Sequence, residues 1–396
     1  MGKRQNAKGK LLKAKRKMLI RVFPFGIFPF RFAFCHLISL FAFCFLPFAF
    51  SKCKTSLSSS GLSDISFSPT PLQLKIPSYF PPMQIPADNP LTVEGVALGR
   101  KIFFDNVLSS DLTQSCSTCH KPENYFTDNL PTSKGVLGLN GRRSSMSLVN
   151  IGFSNNGLFW DGRVKTLEEQ ALLPVQDSIE LHNNWDAVTT RIKSNANYPT
   201  LFRRAFGITT VDSITKFLVV KAIAQFERTL ISSDAKIDKI ARKAAFFTDD
   251  EQTGYNLFFN VLDAPDAQCA HCHVSPFYNA GDFFNNGIDS AKTFTDFKDL
   301  GRGGFTLKPT DNGKFKPPTL RNIAQTAPYM HDGRFKTLQE VLDHYASGGH
   351  TSPNVDPFIP SIATIHLTAK QKNQIISFLN TLTDSSFVSN TAFQKP

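Results

Sequence analysis

Cys116-Ser117-Thr118-Cys119-His120 decides how this chain is read, together with its recurrence as Cys269-Ala270-His271-Cys272-His273. Two thiols at i and i+3 lie on one face of a single helical turn, where both reach the vinyl groups of one haem. The histidine directly after the second thiol then falls beneath the iron as an axial ligand. A zinc site would normally place its second ligand pair much closer, and a redox dithiol needs no histidine after it in both copies. The two motifs therefore predict two covalently bound c-type haems, one on Cys116, Cys119 and His120, the other on Cys269, Cys272 and His273.

The 396 residues allow two or three domains and an ample core. A formal net charge of +12 suggests a nucleic-acid or membrane-surface partner until it is located. Ten Lys or Arg and no acid fall within residues 1–31, which leaves +2 for the rest, so no nucleic-acid binding is expected. An apolar, Phe-rich run from Phe32 to Phe50 follows, and then Ser51-Lys52-Cys53. Residues 1–53 thus read as an export signal or anchor, and the protein as periplasmic. Cys53 is a candidate for lipidation, although Lys52 and Phe50 fit a lipobox poorly; an uncleaved single-span membrane anchor and ordinary cleavage are the alternatives. The leader is long enough that Met18 offers an alternative start. Of seven cysteines, Cys35, Cys44 and Cys53 lie in the leader and the other four in the haem motifs, which suits an oxidising compartment.

Residues 54–90 are rich in Ser and Pro without a sustained apolar period, and read as a tether passing into an extended arm. From Leu91 onward the periodicity is helical, so the fold class is all-α. Capping boxes mark helix starts at Thr166/Glu169, Thr248/Glu251, Thr337/Glu340 and Thr368/Gln371, and Pro174 and Gly348-Gly349 mark stops. Residues 212–231 carry Ile214, Phe217, Leu218, Ala222, Ala224 and Phe226 near a 3.6 period, a stripe expected to face the core. A boundary near residues 240–248 divides the helical part into domains 91–247 and 248–385. The second has the order of a cytochrome c domain: helix, haem motif, long Gly- and Pro-rich loop, closing helices. Its loop from Tyr278 to Pro318 is too long for a plain connection and is a candidate cover for a haem edge or an interdomain face.

Further motifs carry a resemblance. Leu98-Gly99-Arg100-Lys101-Ile102-Phe103-Phe104-Asp105 precedes the first haem motif, and Phe159-Trp160-Asp161-Gly162-Arg163 and Phe226-Glu227-Arg228-Thr229-Leu230 follow it. Leu320-Arg321-Asn322 runs on to Ala327-Pro328-Tyr329-Met330-His331-Asp332-Gly333. Over about residues 90–385 the chain resembles the bacterial di-haem cytochrome c peroxidases of the MauG-related superfamily. The resemblance implies two cytochrome c-like haem domains, the N-terminal one reacting with peroxide and the C-terminal one six-coordinate and passing electrons. It gives Trp160 the position of the tryptophan that relays electrons between them.

The resemblance also assigns the rest of the site. Family peroxidases often carry a distal histidine after a Ser-x-Gly, but here Ser133-Lys134-Gly135 is followed by Val136, which cannot bind iron. An open first haem, as in the MauG branch, is therefore expected. Other residues able to ligate iron between His120 and the second motif include His182, Met146, Tyr125 and Tyr198. The catalytic glutamate, placed after a Pro-x5 spacing, matches Pro174 and Glu180. The sixth ligand of the second haem counts to Tyr345, with Met330 the alternative as the only methionine after Cys272. Calcium between the domains is implied at Thr326 and Pro328, while the third family ligand, an asparagine, falls at Ser144 or shifts to Asn150. Arg142-Arg143 reads equally as a solvated pair or as partners for haem propionates.

Two function classes remain. One is a hydrogen peroxide-consuming enzyme: a peroxidase drawing electrons from a small periplasmic cytochrome c or cupredoxin, or a MauG-like oxidase of a protein or organic substrate. The other is a non-catalytic di-haem electron-transfer cytochrome. Val136 favours the enzyme, and a dimer is compatible with either class.

Overall fold

The computed structural model describes residues 61–261 and 267–396, so the leader, Cys53 and the start of the tether lie outside the described residues. Among the described residues the fold is helical, and β structure is limited to isolated bridges. The helices are α1 Val93–Phe103, α2 Cys116–Cys119, α3 Leu167–Gln176, α4 Trp185–Ser194, α5 Tyr198–Phe206, α6 Lys216–Glu227 and α7 Lys236–Ala241. There follow α8 Asp249–Phe259, α9 Cys269–Cys272, α10 Gly303–Thr306, α11 Leu338–Ala346, α12 Phe358–Ala363, α13 Ala369–Asn380 and α14 Ser385–Ser389. All four sequence-marked capping boxes form, at the starts of α3, α8, α11 and α13, each satisfying amides that helix geometry leaves unpaired.

Each haem motif belongs to its own hydrophobic core. The first gathers Ile102, Phe103, Phe126, Phe202 and Phe226; the second gathers Leu257, Phe258, Ile375 and Phe378. The same packing device closes both. A Cβ added to Gly99 on α1 would sit 1.8 Å from the Ala222 carbonyl oxygen on α6, and one added to Gly254 on α8 would sit 1.9 Å from that of Gln374 on α13. Glycine alone lets each helix pair cross backbone to backbone.

Three sequence expectations change. α3 runs through Pro174 to Gln176 and does not stop there. Proline forfeits one helical hydrogen bond, and the capping box together with burial of Val175 carries the helix past it. α6 begins at Lys216 behind an N-cap at Thr215, so Ile214 packs from the preceding turn and Phe217 points outward, 56% exposed. Finally, the described part of the 54–90 segment is more than a tether. Leu62 and Phe80 are buried, Leu62 N donates to Thr209 O (2.8 Å), and the Tyr79 hydroxyl donates to Asp238 (3.1 Å). Phe80 wedges edge-on against Phe153 and Phe277, one residue from either side of the presumed boundary.

Candidate haem sites and the seam between them

Both CxxCH motifs fold identically. Each forms one helical turn whose histidine is the C-cap, with φ and ψ of −120° and 74° at His120 and −125° and 73° at His273. In each, the histidine N–H donates to the first cysteine's carbonyl at 3.0 Å. Shortly after comes an aromatic residue with positive φ, Phe126 or Tyr278, whose carbonyl oxygen receives the ring Nδ1: 2.9 Å at His120 and 2.8 Å at His273. Commitment of Nδ1 to a carbonyl leaves Nε2 as the ligating atom, the arrangement that orients a metal-bound histidine. Burial lowers both histidines, His273 to about 4, so both imidazoles are neutral and able to ligate. Ser145 lies 3.2 Å from His120 Nδ1, a contact without a counterpart at His273 among the described residues.

A cavity of about 470 Å³ opens on Cys116, Cys119 and His120. Its walls include Phe103, Leu148, Val175 and Ile223, and a polar rim of Arg142, Arg143, Trp160, Glu180 and Lys316. The residues fit a covalent haem. The two thiols are unbonded on the cavity wall, the apolar volume is of ligand size, and a buried carboxylate oxygen, Oε2 of Glu227, lacks any protein partner there. Burial pushes Glu227 up to about 8, with Glu168 adding to the shift and Arg228 opposing it.

Glu180, which the family resemblance matched to the catalytic glutamate, lines this cavity. Burial raises its pKa, Asp177 adds to the effect, and Arg163 and Arg142 oppose it. Its backbone is clamped: the amide donates to Asp177 O (3.1 Å), and the carbonyl accepts from Val136 N (2.9 Å). Gly135 lies so close that a Cβ would fall 2.2 Å from Ile179 O. It is Gly135 and not Val136 that faces the cavity, so the position of the absent histidine is filled by backbone packed on the glutamate loop. Of the other potential iron ligands, His182 is exposed, Tyr125 and Tyr198 are buried in the first core, and Met146 lines the cavity with its backbone directed at the His120 ring.

Trp160 sits where the two halves meet. Its indole N–H donates to Ser144 O (2.9 Å), its carbonyl accepts from Lys316 N (2.8 Å), and its ring stands edge-on to His331 at 6.5 Å. His331 stacks on Phe315 at 3.8 Å. Arg143 covers Phe315 at 5.3 Å, pairs with Asp161 at 2.7 Å, and grips Asp299 through Nε (2.8 Å) and Nη2 (2.7 Å). Burial works against the Asp299 charge, but these bonds hold its carboxyl below the usual range. Arg142, 70% exposed, instead pairs with Asp177. The Tyr278–Pro318 loop thus clamps the Trp160 turn, with Arg302 donating to Asp161 O and Gly162 O at 2.9 Å each.

At the second motif, the phenol of Tyr345 on α11 packs with Cys269 into the second core. Burial pushes it up to about 12; Asn286 opposes and the Cys272 and Cys269 thiols add. Met330, with φ +74°, also approaches: Asn286 Nδ2 is 3.4 Å from its sulfur and 3.4 Å from the Tyr345 oxygen.

The residues expected to hold calcium border a smaller cavity of about 90 Å³, lined by Ser144, Asn150, Thr326, Pro328 and Lys316. They fit a cation poorly. The Ser144 hydroxyl donates to Met330 O, the Asn150 amide is spent on the Ser232 backbone, and the charged side chain on this wall is the Lys316 ammonium. No cluster of three acidic, His or Cys side chains able to bind a metal occurs among the described residues.

Glu227, Asn286, Lys316 and Ser145 were not singled out by sequence. Glu227 alone carried a signal there, as a carboxylate within an apolar helical stripe.

Comparison with known proteins agrees with this geometry. The family profile described as di-haem cytochrome c peroxidase matches residues 93–245. The methylamine utilization protein MauG of Methylorubrum extorquens is 33% identical over 300 residues, 75% of this chain and 80% of that protein. The cytochrome c551 peroxidase of Nitrosomonas europaea is 33% identical over 264 residues, 66% of this chain and 76% of that protein. Among solved structures, a MauG-like protein associated with microbial copper homeostasis superimposes with a TM-score of 0.73 at 33% identity, covering 82% of this chain and 99% of that one. The diheme peroxidase BthA of Burkholderia thailandensis shares the fold, with a TM-score of 0.64 at 21% identity over 83% of this chain and 99% of its own.

Proposed function

The chain belongs to the di-haem cytochrome c peroxidase family that includes MauG, and from that membership we propose that it reduces hydrogen peroxide to water at the N-terminal haem. Electrons come from a small periplasmic redox protein, such as a cytochrome c or cupredoxin, through the C-terminal haem. A haem held at each motif would supply the iron chemistry: reaction with peroxide at the first site and electron transfer at the second. The remaining chemistry belongs to the chain. Cys116 and Cys119 tether the first haem and His120 ligates it; Cys269, Cys272, His273 and Tyr345 do the same for the second. Glu180 moves a proton from the near to the far peroxide oxygen. It starts the step as a carboxylate, and its raised pKa makes it a stronger base than a solvated glutamate, able to hold the proton until it is delivered. Trp160 bridges the two sites, held by Ser144 from one side and Lys316 from the other. The residues around Thr326 and Pro328 fit a cation poorly, so calcium has no part in this proposal.

The carrying observation is that one cavity is lined both by His120 and by the half-buried, backbone-clamped carboxyl of Glu180. Mixing the di-ferric protein with peroxide, then adding a reduced small cytochrome, tests it. Turnover of the cytochrome is expected, and no spectral change at either haem would leave electron transfer alone. A second reading, oxidation of a protein or organic substrate, is favoured by the Tyr345 phenol beside Cys269. It predicts that peroxide consumption is sustained by that substrate and not by the cytochrome.

A further inference from the structure

Asn286 lies between the two side chains that compete for the second iron. Its Nδ2 is 3.4 Å from the Tyr345 oxygen and 3.4 Å from the Met330 sulfur. An amide nitrogen carries two N–H groups, so it can serve both. A thioether sulfur only accepts, which fixes the amide with its nitrogen, not its oxygen, toward the phenol.

The backbone beneath Asn286 is pinned on each side. Asn285 is buried, and its amide donates to Ser352 Oγ (2.8 Å) and Asn354 Oδ1 (2.9 Å) while its oxygen accepts from Gly287 N (3.0 Å). The Asn286 carbonyl oxygen lies 3.0 Å from His344 Nε2, on the residue before Tyr345. Gly287, at φ +66°, packs on the turn that ends α11, where a Cβ would meet Gly349 Cα at 3.2 Å. The loop is therefore keyed to the helix that carries Tyr345, and the amide is delivered to the phenol by a scaffold with little slack.

We propose that Asn286 is the positioning residue of the second haem site, donating one N–H to the Tyr345 ligand oxygen while Met330 holds the amide in the donating orientation. The inference rests on Tyr345 being the ligand. A donor on an anionic ligand oxygen withdraws electron density from it and weakens its preference for ferric iron, so the donor sets the potential of this haem higher than the phenolate alone would. Met330 acquires a role as an orienting group and not as a ligand.

The test is a spectroelectrochemical titration of the holoprotein in which the two haems are resolved. Asn286→Leu is expected to lower the potential of the second haem and leave that of the first in place. Asn286→Asp keeps the shape, removes the donor and should shift it in the same direction, which guards against a folding defect in the leucine variant. Met330→Leu frees the amide to flip and should produce a smaller shift of the same sign. An unmoved second potential in both Asn286 variants overturns the proposal. Tyr345→Phe separates the two levels. If it leaves the second haem's ferric spectrum intact, the ligand assignment falls and this inference with it; if it changes that spectrum while the Asn286 variants do nothing, only the role of Asn286 falls.

Discussion

The cavity at the first haem motif presents two carboxyls, the half-buried Glu180 and the buried Glu227, with different expected roles. Glu180 is clamped by the Val136 and Asp177 backbone and faces the rim, where a proton carrier is needed. Glu180→Gln keeps the shape and loses the proton; peroxide-dependent cytochrome oxidation should slow by about 10²–10⁴-fold in stopped-flow mixing, with both haems attached and mutually reducible. Glu227 faces the apolar wall without a partner, and its pKa is pushed up to about 8. The folded state holds this proton to higher pH than the unfolded chain, so stability present below about 4.5 is lost as pH rises through about 8, on the order of several kcal/mol. Melting temperatures of wild type and Glu227→Gln between pH 5 and 9 check this: the wild type should decline relative to the variant as pH rises, and parallel curves would refute the assignment.

At the scale of elements, the arm, α7 and the second haem loop are joined by one buried ion pair. Arg321 meets Asp238 of α7 through two bonds of 2.8 and 2.9 Å, donates to Pro276 O (2.8 Å), and lies over Phe80 at 4.8 Å. Both side chains are 2% exposed or less. Removing one partner strands the other charge, so Arg321→Met should cost about 3–5 kcal/mol in denaturant unfolding. Such a pair ties α7 and the Arg321 turn to the peptide just after the second CxxCH. The repeated element, a one-turn helix capped by histidine and closed by a positive-φ aromatic, explains how sequences that differ between the cysteines orient their imidazoles alike.

Across the whole molecule, the two cores are interlocked and not merely adjacent. The C-terminal tail leaves the second core and returns to the first, burying Phe387 and Phe393; Phe387 stacks on Tyr125 beside the first haem motif. Phe387→Ala should therefore destabilise the protein by about 3–5 kcal/mol and perturb the first haem's spectrum, although the residue lies far beyond the second motif in sequence. An unchanged first-haem spectrum would separate the tail from that site. Trp160 is held by backbone from both halves, and Trp160→Phe should leave peroxide reaction at the first haem near wild type while slowing delivery of electrons from the second. Equal slowing of both would reassign it to local packing.

Local chemistry made much of this legible in the chain alone. CxxCH spacing, capping boxes and the apolar period depend on residues a few positions apart, so haem attachment, the helical class and four helix starts could be read directly. Glu180 and Trp160 were named only through resemblance, and their packing beside Gly135 and Ser144 is a fact of long-range contact. Pro174 and Phe217 were misread because local preference yields when a cap and a buried neighbour outweigh it. The pairing of Asn286 with Met330 and Tyr345, the return of Phe387 to the first core and the grip of Arg143 on Asp299 join segments distant in sequence. No periodicity records such contacts, because they exist only once two cores have packed and brought their loops together.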